Sequence, residues 1–171
     1  MLRNGDLFPS LSFPRAGGGE VHLPGDLAGA YGVILFYRGS WSPACNEQLG
    51  AFARAADAFA EEGIRIVSVS ADDREATEAL VERHRLGFTV AYAADAKAVS
   101  AVIGAFVNED AVYLDATGFV INPGGQIETA VYTSAEGSED RIVTISYSSG
   151  TAGRLLPGDV LKLVRDLRSK S

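Results

Sequence analysis

Residues 33–48 constrain the fold more than any other stretch. They run from five consecutive apolar residues (33–37) through Arg38-Gly39-Ser40-Trp41-Ser42-Pro43-Ala44 to Cys45, Asn46, Glu47 and Gln48. An unbroken apolar run of this length reads as a strand buried on both faces. The pattern that follows it (Leu49, Phe52, Ala56, Phe59) has the period of an amphipathic helix. A central strand, a short polar turn and a helix therefore follow in direct succession, with the only cysteine and the only tryptophan of the chain at the junction. Pro43 suits the first helical position, where no N–H is needed. Cys45 then falls in the first helical turn, whose free N–H groups and dipole favour a negative charge.

Two readings of Cys45 stand at this point. A lone cysteine is commonly a small buried hydrophobe. A cysteine at a helix N-terminus is also the setting in which thiols become reactive. Ser42 lies one turn earlier, within reach of the sulfur. His22 and His84 are isolated in the sequence and read as structural or solvated. Metal-ligand spacing is absent, and Gly17-Gly18-Gly19 lacks the strand-to-helix context of a phosphate loop, so no cofactor is expected.

The rest of the pattern extends the αβ unit. Leu11 and Phe13, then Val21 and Leu23, form a hairpin around the glycine turn. A helix over 44–62 ends at Gly63, and residues 64–70 form a second central strand, parallel to the first if a right-handed crossover joins them. Asp72 and Asp73 cap a helix that runs to about residue 85. Residues 88–91 are a short strand. Asp95 opens a helix with Val99, Val102 and Ile103 on one face. A strand is expected over 111–114. The turn Asn122-Pro123-Gly124-Gly125 joins strands over 119–121 and 126–132. An acidic loop over 134–140 leads to a strand over 142–147, a glycine-serine turn over 148–153 and a closing helix over 157–168. This order predicts one α/β domain over residues 1–171: a three-layer α/β/α arrangement with a central mixed sheet, an N-terminal hairpin and an extra β-hairpin near the C-terminus.

At 171 residues a sizeable core is available. The formal net charge of −7 argues against nucleic acid and anionic lipid as partners. No apolar run approaches a membrane span, no secretory signal is evident, and one cysteine permits no internal disulfide. A cytoplasmic, reducing location is the expectation.

In its ordered set of motifs the chain resembles the peroxiredoxins, the thioredoxin-fold thiol peroxidases of the alkyl-hydroperoxide-reductase and thiol-specific-antioxidant group. It is most similar to the bacterioferritin-comigratory type and to redoxin-like relatives. The motifs are Gly5-Asp6 with Pro9, the strand over 33–37 with Ser42-Pro43-Ala44-Cys45, Gln48 three residues on, the hairpin over 119–127, and Gly153-Arg154 before the last helix. The resemblance implies a peroxidatic role for Cys45, which becomes a sulfenic acid. It implies that Ser42 hydrogen-bonds the thiolate and the peroxide, and that N–H groups near Ala44 and Cys45 stabilise the leaving oxygen. Arg154 either holds the loop or acts on the thiol, or is a surface arginine. Gln48 either orients an arginine or is solvated.

Two departures stand out. Arg38 occupies the place of the family's proline, and Ala116 that of its core arginine. Arg38 is therefore a candidate replacement cation. With no second cysteine, turnover requires an external thiol of thioredoxin, glutaredoxin or low-molecular-weight type. A homodimer is among the assemblies the resemblance implies. The competing expectation is a thiol sensor or interaction module that kept the fold and lost full peroxidase chemistry.

Overall fold

The computed structural model describes residues 1–136, 139–146 and 155–170, with the backbone alone over 135–136 and 139–146. The chain order is β1 (Leu11–Pro14), β2 (Glu20–Leu23), β3 (Gly32–Phe36), α1 (Pro43–Arg54), α2 (Ala56–Glu61), β4 (Arg65–Val69), α3 (Arg74–His84), β5 (Thr89–Ala91), α4 (Ala96–Ile103), β6 (Thr117–Ile121), β7 (Ile127–Glu136), β8 (Glu139–Ser146) and α5 (Pro157–Ser169).

β3 is the keystone because every one of its residues is buried. A strand apolar on both sides needs cover on both faces. Six strands form the sheet in the order β5-β4-β3-β6-β7-β8. β3 pairs in parallel with β4 (Val33 opposite Ile66) and antiparallel with β6 (Val33 opposite Val120), so the sheet is mixed and the expected parallel crossover is present. β1 and β2 form a separate hairpin.

Strand alternation divides the core in two. Ile34 and Phe36 pack with Val67, Val69, Phe119, Ile103 of α4 and Phe13 of the hairpin. Val33, Leu35 and Tyr37 face the other layer, with Leu49 and Phe52 of α1, Phe59 of α2, Leu80 of α3 and Val164 of α5. Cys45 belongs to this second layer.

Several expectations need correction. The helix over 44–62 is two helices, broken at Ala55, whose backbone leaves the helical region (ψ 3°). The rings of Phe52 on α1 and Phe59 on α2 meet across the break with centroids 5.5 Å apart. Residues 111–114 do not form a strand. The Asn108 side chain accepts from the N–H groups of Val112 (2.8 Å) and Tyr113 (2.9 Å), and Ala111 has a left-handed backbone (φ 53°). A side-chain acceptor has taken donors that a ladder needs. The acidic stretch expected as a loop over 134–140 is strand where it is described, at 134–136 and 139–140. β7 and β8 pair there, with Ser134 opposite Arg141 and Glu136 opposite Glu139. Backbone pairing there overrides the polar composition. Val102 is 46% exposed, because Ala96, Val99 and Ile103 take the inner face of α4. The turn expected over 148–153 lies outside the described residues.

Candidate functional site

β3 ends at Phe36, and the Tyr37 N–H still bonds the Val69 carbonyl (3.0 Å). The chain then turns away over 38–42. Gly39 is required in that turn, since a Cβ there would overlap the Trp41 indole. Ser42 is the N-cap of α1, and Pro43 is its first residue, as the spacing predicts for the proline.

Ser42 and Cys45 are both fully buried. The Ser42 hydroxyl accepts the Cys45 N–H at 3.3 Å. That donor was expected to serve the leaving oxygen, and in this structure the cap occupies it. The donor aimed at the sulfur is the Arg38 main-chain N–H, 3.4 Å from Sγ. An N–H so directed stabilises negative charge on sulfur.

The Arg38 guanidinium takes a different course. It stands 5.0 Å from the Trp41 ring centroid and 5.5 Å from that of Tyr113, with Nη2 3.4 Å from the Tyr113 hydroxyl. Its Nε is 3.9 Å from the carboxylate of buried Asp115. Trp41 and Tyr113 meet edge to face at 4.8 Å. Arg38 thus joins the loop to the segment before β6 by ionic and cation–π contacts. Its described contact with Sγ is made by the backbone rather than the cation.

Gln48 is buried, which removes the solvated alternative. Its Nε2 donates to the Leu155 carbonyl at 3.0 Å. Leu155 in turn fills the space above Gly118, where a Cβ would lie 2.7 Å from Leu155 Cδ1. Gln48 therefore fixes the residue next to Arg154, and Arg154 itself lies outside the described residues. Ala116 is buried in the same apolar layer as Cys45, Leu49 and Leu155. Its carbonyl accepts from the Thr133 hydroxyl (2.6 Å) and N–H (3.1 Å).

Four residues at the site were not selected from the sequence as site residues. Asp72 does not cap α3; Asp73 does, accepting from the Ala76 N–H at 2.8 Å. The Asp72 carboxylate instead accepts the Ser40 N–H at 2.8 Å. Asn46 Nδ2 donates to the carbonyls of Ser40 (2.8 Å) and Ser42 (2.9 Å). Its Oδ1 meets His84 Nε2 at 2.9 Å. Tyr37 is fully buried, and burial pushes its phenol well above the usual range. The hydroxyls of Ser70 and Thr77 approach it without closing a hydrogen bond of normal geometry among the described residues. Only two of these placements had a legible signal. Asn46 directly follows the cysteine, and Tyr37 ends the apolar run. His22 lies elsewhere, exposed, 2.7 Å from the Ser12 hydroxyl. Among the described residues no three His, Cys, Asp or Glu cluster to hold a metal ion.

The same architecture occurs in known proteins. A peroxiredoxin of Chlorobaculum tepidum is 31% identical over 68 residues, which is 40% of this chain and 32% of that protein. A peroxiredoxin of Treponema denticola is 23% identical over 136 residues, 77% of this chain and 65% of that protein. The matched stretches thus span less than two thirds of either relative. A solved yeast mitochondrial 1-Cys peroxiredoxin superposes with a TM-score of 0.70 at 17% identity, covering 99% of this chain and 78% of the other. The fold is therefore the thioredoxin-like one of the peroxiredoxins. The AhpC/TSA family profile matches residues 4–130, well over half of the chain. The chain, with its strand feeding a capped helix and a buried cysteine in the first turn, belongs to the AhpC/TSA family.

Proposed function

We propose that this chain is a thiol peroxidase of one-cysteine type. The observation that carries the reading is the Cys45 sulfur, buried in the first turn of α1 with the Arg38 N–H directed at it. As a thiolate it attacks one oxygen of hydrogen peroxide or an organic hydroperoxide. The S–O bond forms as the O–O bond breaks, and sulfur is oxidised to a sulfenic acid. The departing hydroxide or alkoxide takes up a proton and leaves as water or alcohol. Ser42, whose hydroxyl caps the Cys45 N–H, is assigned to position the peroxide, while Arg38, Gln48 and Arg154 are assigned to hold the loop and its surroundings.

An external thiol then attacks the sulfenic sulfur and expels water, and a second thiol releases Cys45 from the mixed disulfide. The single cysteine calls for this route, since no internal partner exists. The reductant is of thioredoxin, glutaredoxin or low-molecular-weight class. The yeast 1-Cys peroxiredoxin of the same fold is described with thiol resolution through glutathione and thioredoxin systems, which supports the assignment. A reducing cytoplasm and a homodimer fit the same reading. Among the described residues no helix is long and apolar enough to cross a membrane.

The test is intact-mass analysis after a brief, stoichiometric exposure to hydrogen peroxide with a dimedone trap, with Cys45→Ser as control. Rapid, complete trapping at Cys45 is expected. Oxidation no faster than that of a free thiol sinks the peroxidase reading.

One observation favours a second reading, a thiol sensor or interaction module. Ala116, at the place where the resemblance sets the family's arginine, is an apolar, buried side chain. A sensor would oxidise at Cys45 and fail to turn over with any of the three reductant classes.

A further inference from the structure

We propose that His84 is a positioning residue for the Cys45 loop and acts through Asn46. Its effect on loop opening is independent of the peroxidase reading, and its effect on oxidation rate rests on that reading.

The hydrogen bonds fix the direction of the contact. Asn46 Nδ2 donates to the Ser40 and Ser42 carbonyls, at 2.8 and 2.9 Å. An amide nitrogen has two hydrogens, and both are used. Its oxygen therefore faces His84, and His84 Nε2, at 2.9 Å, must be the donor. Both the neutral Nε2–H tautomer and the imidazolium can supply that hydrogen, so the bond survives either charge state.

The loop is gripped from both ends of α3. Asp72, two residues before the helix, holds the Ser40 N–H at 2.8 Å. His84, its last residue, steadies the amide that holds the Ser40 and Ser42 carbonyls. Trp41 lies between those two carbonyls and is half exposed, so side-chain burial does not immobilise it. Ser42, held at its carbonyl, is also the cap of the Cys45 N–H. If His84 does not donate, the Asn46 amide loses one of its three side-chain hydrogen bonds, and its hold on both carbonyls weakens.

The experiment compares the wild-type protein with His84→Leu, His84→Gln, Asn46→Ala and the His84→Leu/Asn46→Ala double variant. Hydrogen exchange is followed over residues 38–46, and Cys45 oxidation by hydrogen peroxide is timed alongside it. His84→Leu is expected to speed exchange in the loop by about two- to tenfold, the equilibrium worth of one net hydrogen bond. His84→Gln, which keeps a donor near the same place, is expected to restore it. In the Asn46→Ala background the Leu substitution is expected to add nothing. Unchanged exchange in His84→Leu, no rescue by Gln, or a Leu effect that persists without Asn46 overturns the proposal. Should His84→Leu fail to fold, Asn46→Ala decides: it must raise loop exchange while α5 exchange stays at the wild-type value. Exchange that responds as stated while wild-type Cys45 oxidises no faster than a free thiol would retain the clamp and remove the peroxidase reading.

Discussion

The main-chain N–H of Arg38 donates to the Sγ of Cys45 across 3.4 Å. The proline that the family resemblance sets at this position has no N–H to offer. Arginine in that place adds a donor to the sulfur. The guanidinium, held by Trp41, Tyr113 and Asp115, is a separable contribution. Arg38→Pro should slow Cys45 oxidation by about ten- to a hundredfold, since a hydrogen bond to a charged group is worth ~1.5–3 kcal/mol. Arg38→Gln, which keeps the N–H, should slow it much less. Stopped-flow oxidation of the two variants checks this, and equal losses would move the role from backbone to side chain.

Ser42→Ala removes the cap of α1 and should lower stability by about 0.5–2 kcal/mol while also slowing Cys45 oxidation. Asp73→Ala supplies the comparison. It removes the cap of α3, with its 2.8 Å bond to the Ala76 N–H, and should cost similar stability with little change in oxidation rate. Denaturant unfolding and peroxide kinetics on both variants separate helix capping from chemistry.

Gln48→Leu should destabilise the chain by about 1–3 kcal/mol, because a buried carbonyl loses its donor. The loss falls at Leu155, so faster hydrogen exchange is expected at the start of α5 before it spreads further. Exchange that rises first within α1 would contradict this.

The Tyr37 phenol has its proton affinity raised, chiefly by burial, with Asp72 and Cys45 adding to the effect. The folded state therefore holds a proton that the unfolded chain releases at the ordinary phenol value of 10.0. The sign follows: this contribution is intact below pH 10 and is lost as pH rises beyond it. Unfolding free energy should fall above that pH by up to ~1.4 kcal/mol per unit from this group. Tyr37→Phe should flatten the alkaline limb, as measured by denaturant titration at a series of pH values.

The site was legible where a residue's neighbours in sequence are also its neighbours in space. Ser42, Pro43 and Cys45 lie within four residues of one helix start, so the first turn and the place of the thiol in it follow from spacing, and the cap supplied by Ser42 is a finding of the structure. Asp72 and His84 reach the same loop from 32 and 38 residues away in sequence, and local periodicity contains no term for that distance. The Arg38 N–H directed at Sγ was not legible in the sequence, because residue type announces a charge and is silent about an N–H. The fold shows the same division. The apolar run of β3 identified the sheet centre. The paired backbones of β7 and β8 were hidden behind the acidic composition of 134–140, since ladder hydrogen bonds do not depend on side-chain polarity.

The position of β3 also sets a timetable. Its parallel neighbour β4 begins at Arg65, but the strand on its other edge, β6, pairs Gly32 with Ile121, about ninety residues later. Chains emerge from synthesis at roughly 5–20 residues per second. For several seconds after α1 can form, the strand that presents the thiol has one edge unpaired, and the Ala116 wall does not yet exist. Completing the surroundings of Cys45 thus waits for the far half of the chain to be made, and a nascent chain arrested before residue 117 would carry the whole cysteine motif without the strand that closes the other edge of β3.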